Sequence, residues 1–282
     1  KQKNKKNVLN KDYIISLTSG STGSPKPIIL TQKTKLLRSL FVKKLYKLNN
    51  KDIVVADIGC GTGYVFELIT KKYRNHNIKF YGIDPAKGML KIAKKKKKDK
   101  RVKFLEGSFE KISLKNKSVN RVISTLALHW VSSIDKGLKE LKRILKPKGS
   151  IDILMIEKND GKEFKKLVLR VMKKYLSNKQ IFNAANLINR ITKKELTKKF
   201  AKCFNLKNDY DLSIKIKKKL IYGSCNDHVK WWKARSLQII SEIENKKLFI
   251  KNLKEELNKF TNKETIPFDL SLLEIHLFKK IN

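Results

Sequence analysis

Val55-Ala-Asp-Ile-Gly-Cys-Gly-Thr-Gly63 is the stretch that decides the fold. An apolar, β-branched run from Asp52 to Asp57 empties into a loop with glycines at 59, 61 and 63. A helix-forming stretch follows, Tyr64 to Tyr73, with Val65, Leu68 and Ile69 on one face. Strand, glycine turn and helix in that order let a parallel sheet present its backbone to a ligand, because glycine turns tightly and carries no side chain to block the approach. The pattern is Gly-x-Gly-x-Gly, not the Gly-x-Gly-x-x-Gly of dinucleotide sites. Asp57 stands two positions before the first glycine, where its carboxylate repels a pyrophosphate and attracts an ammonium group. A cationic ligand is expected at this loop.

Working outward, strands and helices alternate. Ile78 to Ile83, Val102 to Leu105, Val119 to Thr125 and Ser150 to Ile156 read as strands, and Gly88 to Lys97 and Ile134 to Leu145 as helices. Repeated β-α units at this spacing predict an α/β protein with a Rossmann-like, parallel-core sheet and helices on both faces. After Glu157 the pattern predicts a mostly helical C-terminal cap: helices over Lys162 to Leu176, Thr192 to Phe204, Asn226 to Asn245 and Lys247 to Phe260, with strands at Asp211 to Ile221 and Ser271 to Phe278. The organisation expected is therefore a fragment over residues 1–50, a cofactor core over 51–157, substrate-cap helices over 158–262 and a final strand over 266–280.

The second strand ends in Phe80-Tyr-Gly-Ile-Asp84, which places an acid 21 residues after Gly63. A carboxylate at that point can accept both hydroxyls of a ribose; the bland alternative is a helix cap.

With Asp57, the glycine loop and Asp84 together, the segment resembles a class I S-adenosylmethionine-dependent methyltransferase. It is most similar to the small-molecule branch containing trans-aconitate and malonyl-carrier-protein methyltransferases. The resemblance covers roughly residues 52–156 and implies S-adenosyl-L-methionine as cofactor. It implies that Asp57, Gly59, Cys60, Gly61 and Gly63 hold the methionine part and Asp84 the ribose. Gly107-Ser-Phe-Glu110 matches the loop flanking the adenine, giving Ser108 and Phe109 as contacts; this chain has Ser108 where family members usually carry Asp. Ser124-Thr-Leu-Ala-Leu-His-Trp-Val131 matches the loop after the fourth strand, with Thr125 where Asn is common.

His129 follows the fourth strand and is the candidate general base, against a simple packing role beneath the cofactor. Trp130 is a candidate pocket wall. In Asp227-His-Val-Lys-Trp-Trp-Lys-Ala-Arg-Ser236, Trp231 and Arg235 are four apart and share a helical face. An aromatic wall and a guanidinium suit a carboxylated substrate; the alternative is that the tryptophans anchor the helix.

The expected reaction is methyl transfer to a small carboxylic acid or a carrier-bound acyl chain, at oxygen, by direct displacement. RNA or protein methylation, and a non-catalytic binding or scaffold role for the same fold, are the alternatives. The formal charge of +42 invites a polyanion, but only eight of the 67 basic residues are arginine. Nucleic-acid sites draw on the arginine fork, and lysine is abundant everywhere in this chain, so nucleic acid is not the expected partner. The run Lys94 to Lys98 reads as a solvated helix end that suits the dipole.

No apolar run reaches the roughly 18 to 20 residues of a membrane span, and the basic N-terminus lacks the apolar stretch of a secretory signal. Cys60, Cys203 and Cys225 share no metal-type spacing, so no metal is expected, and their odd number fits a reducing, cytoplasmic setting. Nothing in the sequence sets the oligomeric state.

The N-terminal part has a different signature. Tyr13 to Leu30 reads as a strand, a Ser/Thr/Gly loop with Lys26, and a second short strand. Thr18-Ser-Gly-Ser-Thr-Gly-Ser-Pro-Lys26 closely resembles the phosphate loop of the adenylate-forming (AMP-dependent synthetase and ligase) enzymes, and the likeness runs to about Ile53. It implies phosphate contacts from Ser19, Thr22 and Lys26 in a complete enzyme. A fragment of this length cannot build the nucleotide pocket, so no adenylating activity is expected of it.

Overall fold

The computed structural model describes residues 13–19, 25–31, 54–185, 190–259 and 265–280. The first described elements are β1 (Tyr13–Ser19) and β2 (Pro25–Thr31), an antiparallel hairpin in which Thr18 faces Lys26 and Ser19 faces Pro25. Thr22 lies outside the described residues.

The body begins with β3 (Val54–Ile58), α1 (Tyr64–Lys72), β4 (Lys79–Asp84), α2 (Lys87–Lys96), β5 (Val102–Glu106), β6 (Val119–Thr125), α3 (Ile134–Ile144) and β7 (Leu145–Ile156). It continues with α4 (Lys162–Met172), α5 (Asn178–Ala185), α6 (Lys193–Cys203), β8 (Tyr210–Gly223), α7 (Cys225–Arg235), α8 (Leu237–Ser241), α9 (Lys246–Asn258) and β9 (Ile266–Lys279). Seven strands form one sheet in the order β5-β4-β3-β6-β7-β9-β8. β3 to β7 are mutually parallel, and β9 runs antiparallel to both β7 and β8. The expected α/β class is what the chain adopts.

Both faces of the sheet are covered, which is why its inner strands are apolar at nearly every position. On one face Ala56, Ile58, Val122, Ile153 and Ile275 pack against Leu138, Leu141 and Ile144 of α3 and Leu196 and Phe200 of α6. On the other, Val55, Phe80 and Val102 meet Val65, Phe66 and Ile69 of α1 and Leu90 and Ala93 of α2. α3 shows the local logic: Ser133 accepts the N–H of Lys136 as N-cap, and buried residues recur at 134, 138, 141 and 144.

The cap has its own core. β8 and β9 pair along 14 residues each, whereas β7 reaches only from Leu277 to Leu272 of β9. Residues 266–271 of β9 therefore extend past the carboxyl end of β7. Ile266 and Phe268 on that extension bury against Phe164 and Val168 of α4, Trp232 of α7, and Phe249 and Leu253 of α9.

Four expectations change. The single helix expected over Asn226 to Asn245 is broken into α7 and α8 at Ser236, whose φ of −121° and ψ of 26° are not helical, and Asn245 instead caps α9 by accepting the N–H of Leu248. α5 was not anticipated. β7 starts at Leu145, directly after α3: Val119 pairs with Leu145 and Arg121 with Ser150, so Lys146 to Gly149 bulge out around Pro147. Finally, the strand expected at Asp211 to Ile221 is present as β8, but it completes the main sheet as an edge strand instead of belonging to the cap. Lys215, Lys218 and Lys219 are exposed along it and discourage edge pairing. Among the described residues no helix is long and apolar enough to cross a membrane.

Candidate functional site

From β3 the chain steps outward to β4 and β5, then crosses to β6 on the other side. The helices that follow β3 and β6 thus pack on opposite faces of the sheet, and the loops leaving the two strands border a crevice at a topological switch point, the usual ligand position in an open α/β sheet.

The glycine loop occupies one side of it. Gly59 has φ +76°, and a Cβ there would fall 2.2 Å from the Cβ of Ala127. The loop after β3 is therefore pressed against the loop after β6, at a separation no other residue permits. Gly61 also has a left-handed φ, +55°, but a Cβ on it would meet nothing within 4 Å. Its side faces open space, so this is where backbone is free to meet a ligand. The N–H groups of Gly59 and Cys60 both donate to the carbonyl of Ile83, at 2.7 and 3.0 Å, which fastens the loop to the end of β4.

Asp84, last residue of β4, completes that attachment. Its Oδ2 accepts the N–H of Gly61 at 2.8 Å and its Oδ1 the N–H of Ala86 at 2.9 Å. Each carboxylate oxygen keeps acceptor capacity beyond the one bond it makes here. Burial raises the Asp84 carboxyl above its ordinary value, and the two backbone donors oppose the rise. Asp57 is almost completely buried at the head of the loop. Burial first, then the charges of Asp57 and Asp84, push the Cys60 thiol well above its ordinary value. Cys60 is thus a neutral thiol and no nucleophile, and its environment reports that two carboxylates converge on the loop.

On the other side, Ser124 Oγ donates to the carbonyl of Ile58 at 2.8 Å, tying β6 to the end of β3. Thr125 is buried beside it. Leu126 then takes a left-handed φ of +58° while its N–H donates to the carbonyl of Leu154 at 2.7 Å. A left-handed leucine is strained, and nothing in the composition of the loop announces it. A short 3-10 turn, Leu128–Trp130, follows. His129 is 1% exposed and Trp130 43%, so the histidine packs inward while the indole stands at the surface.

Ser108 and Phe109, in the loop after β5, divide similarly. Ser108 Oγ accepts the N–H of Glu110 at 3.2 Å. Phe109 is buried in the core beneath the glycine loop, near the position a Gly59 Cβ would take. Glu110, which the sequence did not single out, ties this loop to the next: its Oε1 accepts Ser132 Oγ at 2.5 Å and the N–H of Ser133 at 2.7 Å.

The remaining residues singled out in the sequence lie in the cap. Trp231 and Arg235 lie on α7, and their side chains are outside the described residues. Trp232 is buried in the cap with its ring 5.5 Å from that of Phe249, so it anchors α7 to α9 and to the overhanging end of β9. His228 is likewise structural: its Nε2 lies 2.8 Å from the carbonyl of Ile266, and its ring stacks on Phe268. Arg190, also missed in the sequence, lines a cavity beside the loop after β6. No cluster of potential metal ligands occurs among the described residues.

Residues 56–153 match the family described as methyltransferase domain. The malonyl-[acyl-carrier protein] O-methyltransferase of Priestia megaterium is 35% identical over 102 residues, 36% of this chain and 36% of that protein. The ubiquinone/menaquinone biosynthesis C-methyltransferase UbiE of Campylobacter jejuni is 31% identical over 113 residues, 39% of this chain and 47% of the relative. This chain thus spans less than half the length of each. The crystal structure of YcgJ from Bacillus subtilis superposes with a TM-score of 0.56 at 18% identity, covering 87% of this chain and all of that one, a likeness of fold. The segment from Ala56 to Ile153 is a methyltransferase domain of the S-adenosylmethionine-dependent class.

Proposed function

We propose that the chain transfers the methyl group of S-adenosylmethionine to a carboxylate oxygen of a small acid or a carrier-linked acyl chain. One observation carries the cofactor half of this reading: the buried Asp57 and the loop-bonded Asp84 flank a glycine loop whose Gly61 faces open space. Two carboxylates beside an open backbone suit a cationic ligand bearing an amino acid and a ribose, and they oppose a pyrophosphate. In this assignment Asp57, Gly59, Cys60, Gly61 and Gly63 hold the methionine part. Asp84 accepts the ribose hydroxyls with its remaining lone pairs, and Ser108 and Thr125 border the adenosyl group.

S-adenosylmethionine supplies an electrophilic methyl on a positively charged sulfur. The acceptor oxygen forms a bond to that methyl as the sulfur takes back the electron pair. A carboxylate acceptor is already ionised at neutral pH, so no side chain is required to remove a proton. The chain's work is alignment and exclusion of water. His129, packed inward, fits a supporting role, and Trp130 fits a wall of the acceptor pocket. The name of the Priestia megaterium relative favours an acid on a carrier protein.

A carbon acceptor is the second reading, favoured by the name of the Campylobacter jejuni relative. Incubation with radiolabelled S-adenosylmethionine and a panel of carboxylic acids, acyl carrier proteins and bulk RNA tests both. Methyl esters release labelled methanol on mild alkaline treatment, whereas methyl groups on carbon stay. Label confined to RNA, or stable to alkali, would rule out the carboxylate reading. Absence of calorimetric heat with S-adenosylmethionine would remove the cofactor assignment as well.

A further inference from the structure

A cavity of about 270 Å³ lies between the loop after β6 and the start of α6. One wall is Ser132 to Asp135, immediately beyond Trp130; the other includes Arg190, Ile191 and Lys199. Both walls belong to the carboxyl edge of the sheet. Ser132 and Ser133 are tied to Glu110 of the loop after β5, and Ile191 forms a parallel bridge with Glu157, the residue following β7.

Arg190 is held in place from the backbone. The N–H of Lys158 donates to the carbonyl of Ile191 at 3.2 Å, and Ile191 is itself buried in the core shared with α3 and α6. Thr192 and Glu195 close a capping box directly afterwards. The Arg190 side chain remains exposed and lines the cavity. Among the charged groups lining the cavity, it is the one whose opposite charge, Asp160, is buried. Lys199 sits 2.5 Å from Asp135, and Glu195 3.6 Å from Lys158, so each of these lining groups already faces an opposite charge. Desolvation lowers the guanidinium from its ordinary value, and the charge of the buried Asp160 opposes the shift. The cavity thus carries one arginine in its lining, with Ser132 and Ser133 on the other wall.

We infer that Arg190 is a specificity residue for the acceptor, gripping a carboxylate of the substrate in this cavity between the loop after β6 and α6. The planar fork of arginine donates two parallel hydrogen bonds to a carboxylate, which fixes orientation as well as charge. The inference rests on the carboxylate reading of the proposed function and names the group that would enforce it.

The test is steady-state methyl transfer to succinate and glutarate, with their monoamides, which keep one carboxylate to accept the methyl, as controls. Wild type is compared with Arg190→Ala and Arg190→Lys. Arg190→Ala is expected to raise KM for the acids roughly 10- to 100-fold, the loss of a charge-assisted bidentate contact. Calorimetric affinity for S-adenosylmethionine should stay within about twofold, since Arg190 lies outside the glycine loop. The preference for acid over amide should collapse, and Arg190→Lys, which keeps the charge and loses the fork, should recover part of it. Folding is checked by S-adenosylmethionine binding in each variant; should Arg190→Ala not fold, Arg190→Lys and Arg190→Gln give the same comparison. A wild type that methylates an acid, with an unchanged acid-to-amide ratio in the variants, overturns the role of Arg190 alone. A wild type that binds S-adenosylmethionine and methylates none of the acids overturns the carboxylate reading and this inference with it.

Discussion

The N–H of Gly61 donates to Oδ2 of Asp84 at 2.8 Å, so the acid at the end of β4 supports the open point of the glycine loop. One carboxylate thereby has two tasks: it shapes the loop, and in the proposed function it meets the ribose. Asp84→Asn separates them. One backbone bond is lost, but so is the cost of burying the charge, and the melting temperature should change little. Cofactor affinity should fall roughly 10- to 100-fold with the loss of charged acceptors. An affinity unchanged by calorimetry would contradict the ribose assignment.

The raised Asp84 carboxyl also sets a pH dependence. Between the ordinary value of 3.8 and its raised value, the folded protein holds the proton more tightly than the unfolded chain does, so the contribution of this group to stability falls as pH rises through that window. Cofactor binding has the opposite sign, since the ionised form is the acceptor. Affinity for S-adenosylmethionine should weaken as pH falls toward the raised value in wild type and stay flat in Asp84→Asn. Titration calorimetry across the acidic range measures both curves.

Gly59→Ala tests the closeness of the two loops. The added Cβ meets Ala127 at 2.2 Å in a left-handed backbone conformation, so strain and overlap act together. About 2–4 kcal/mol of destabilisation is expected, together with loss of cofactor binding. Urea unfolding of wild type and variant reads the first effect; a variant within 0.5 kcal/mol, taken as the roughly ±0.5 kcal/mol of ordinary surface changes, would refute it.

His129, 1% exposed, is expected to support the loop rather than take a proton. His129→Asn should lower the melting temperature while kcat falls by less than roughly tenfold. A general base would contribute about 100- to 10,000-fold and leave its mark on the pH–rate profile. A loss of that size, with the profile flattened, would restore the catalytic role.

In the same row of the sheet as Asp57, three strands over, His276 on β9 places Nδ1 2.6 Å from Asp152 and Nε2 3.1 Å from Glu274, with Arg121 2.7 Å from Asp152 and Lys217 3.6 Å from Glu274. The bond to Asp152 chiefly raises the imidazole above its ordinary 6.5. Its stabilisation is therefore complete below that value and is lost as pH rises through the raised one. Wild type should lose about 1–2 kcal/mol relative to His276→Gln across that interval. Thermal melts of the two proteins over pH 6 to 9, a range set by the ordinary histidine value of about 6.5, give the difference.

The sequence by itself determined the alternation of strands and helices, the glycine loop and the acids at 57 and 84. Each is a local pattern: β-branched runs, period-3.6 faces and glycine spacing are legible without knowing what packs against them. Tertiary structure decided the rest. The left-handed Leu126 and the inward turn of His129 follow from contacts between loops far apart in the chain. The cap core on Ile266 and Phe268 exists because β9 outruns β7, a matter of register that no local pattern carries. Arg190 is one arginine among eight until the bridge of its neighbour Ile191 to Glu157 sets it beside the loop after β6. Long-range pairing, not residue type, puts it there.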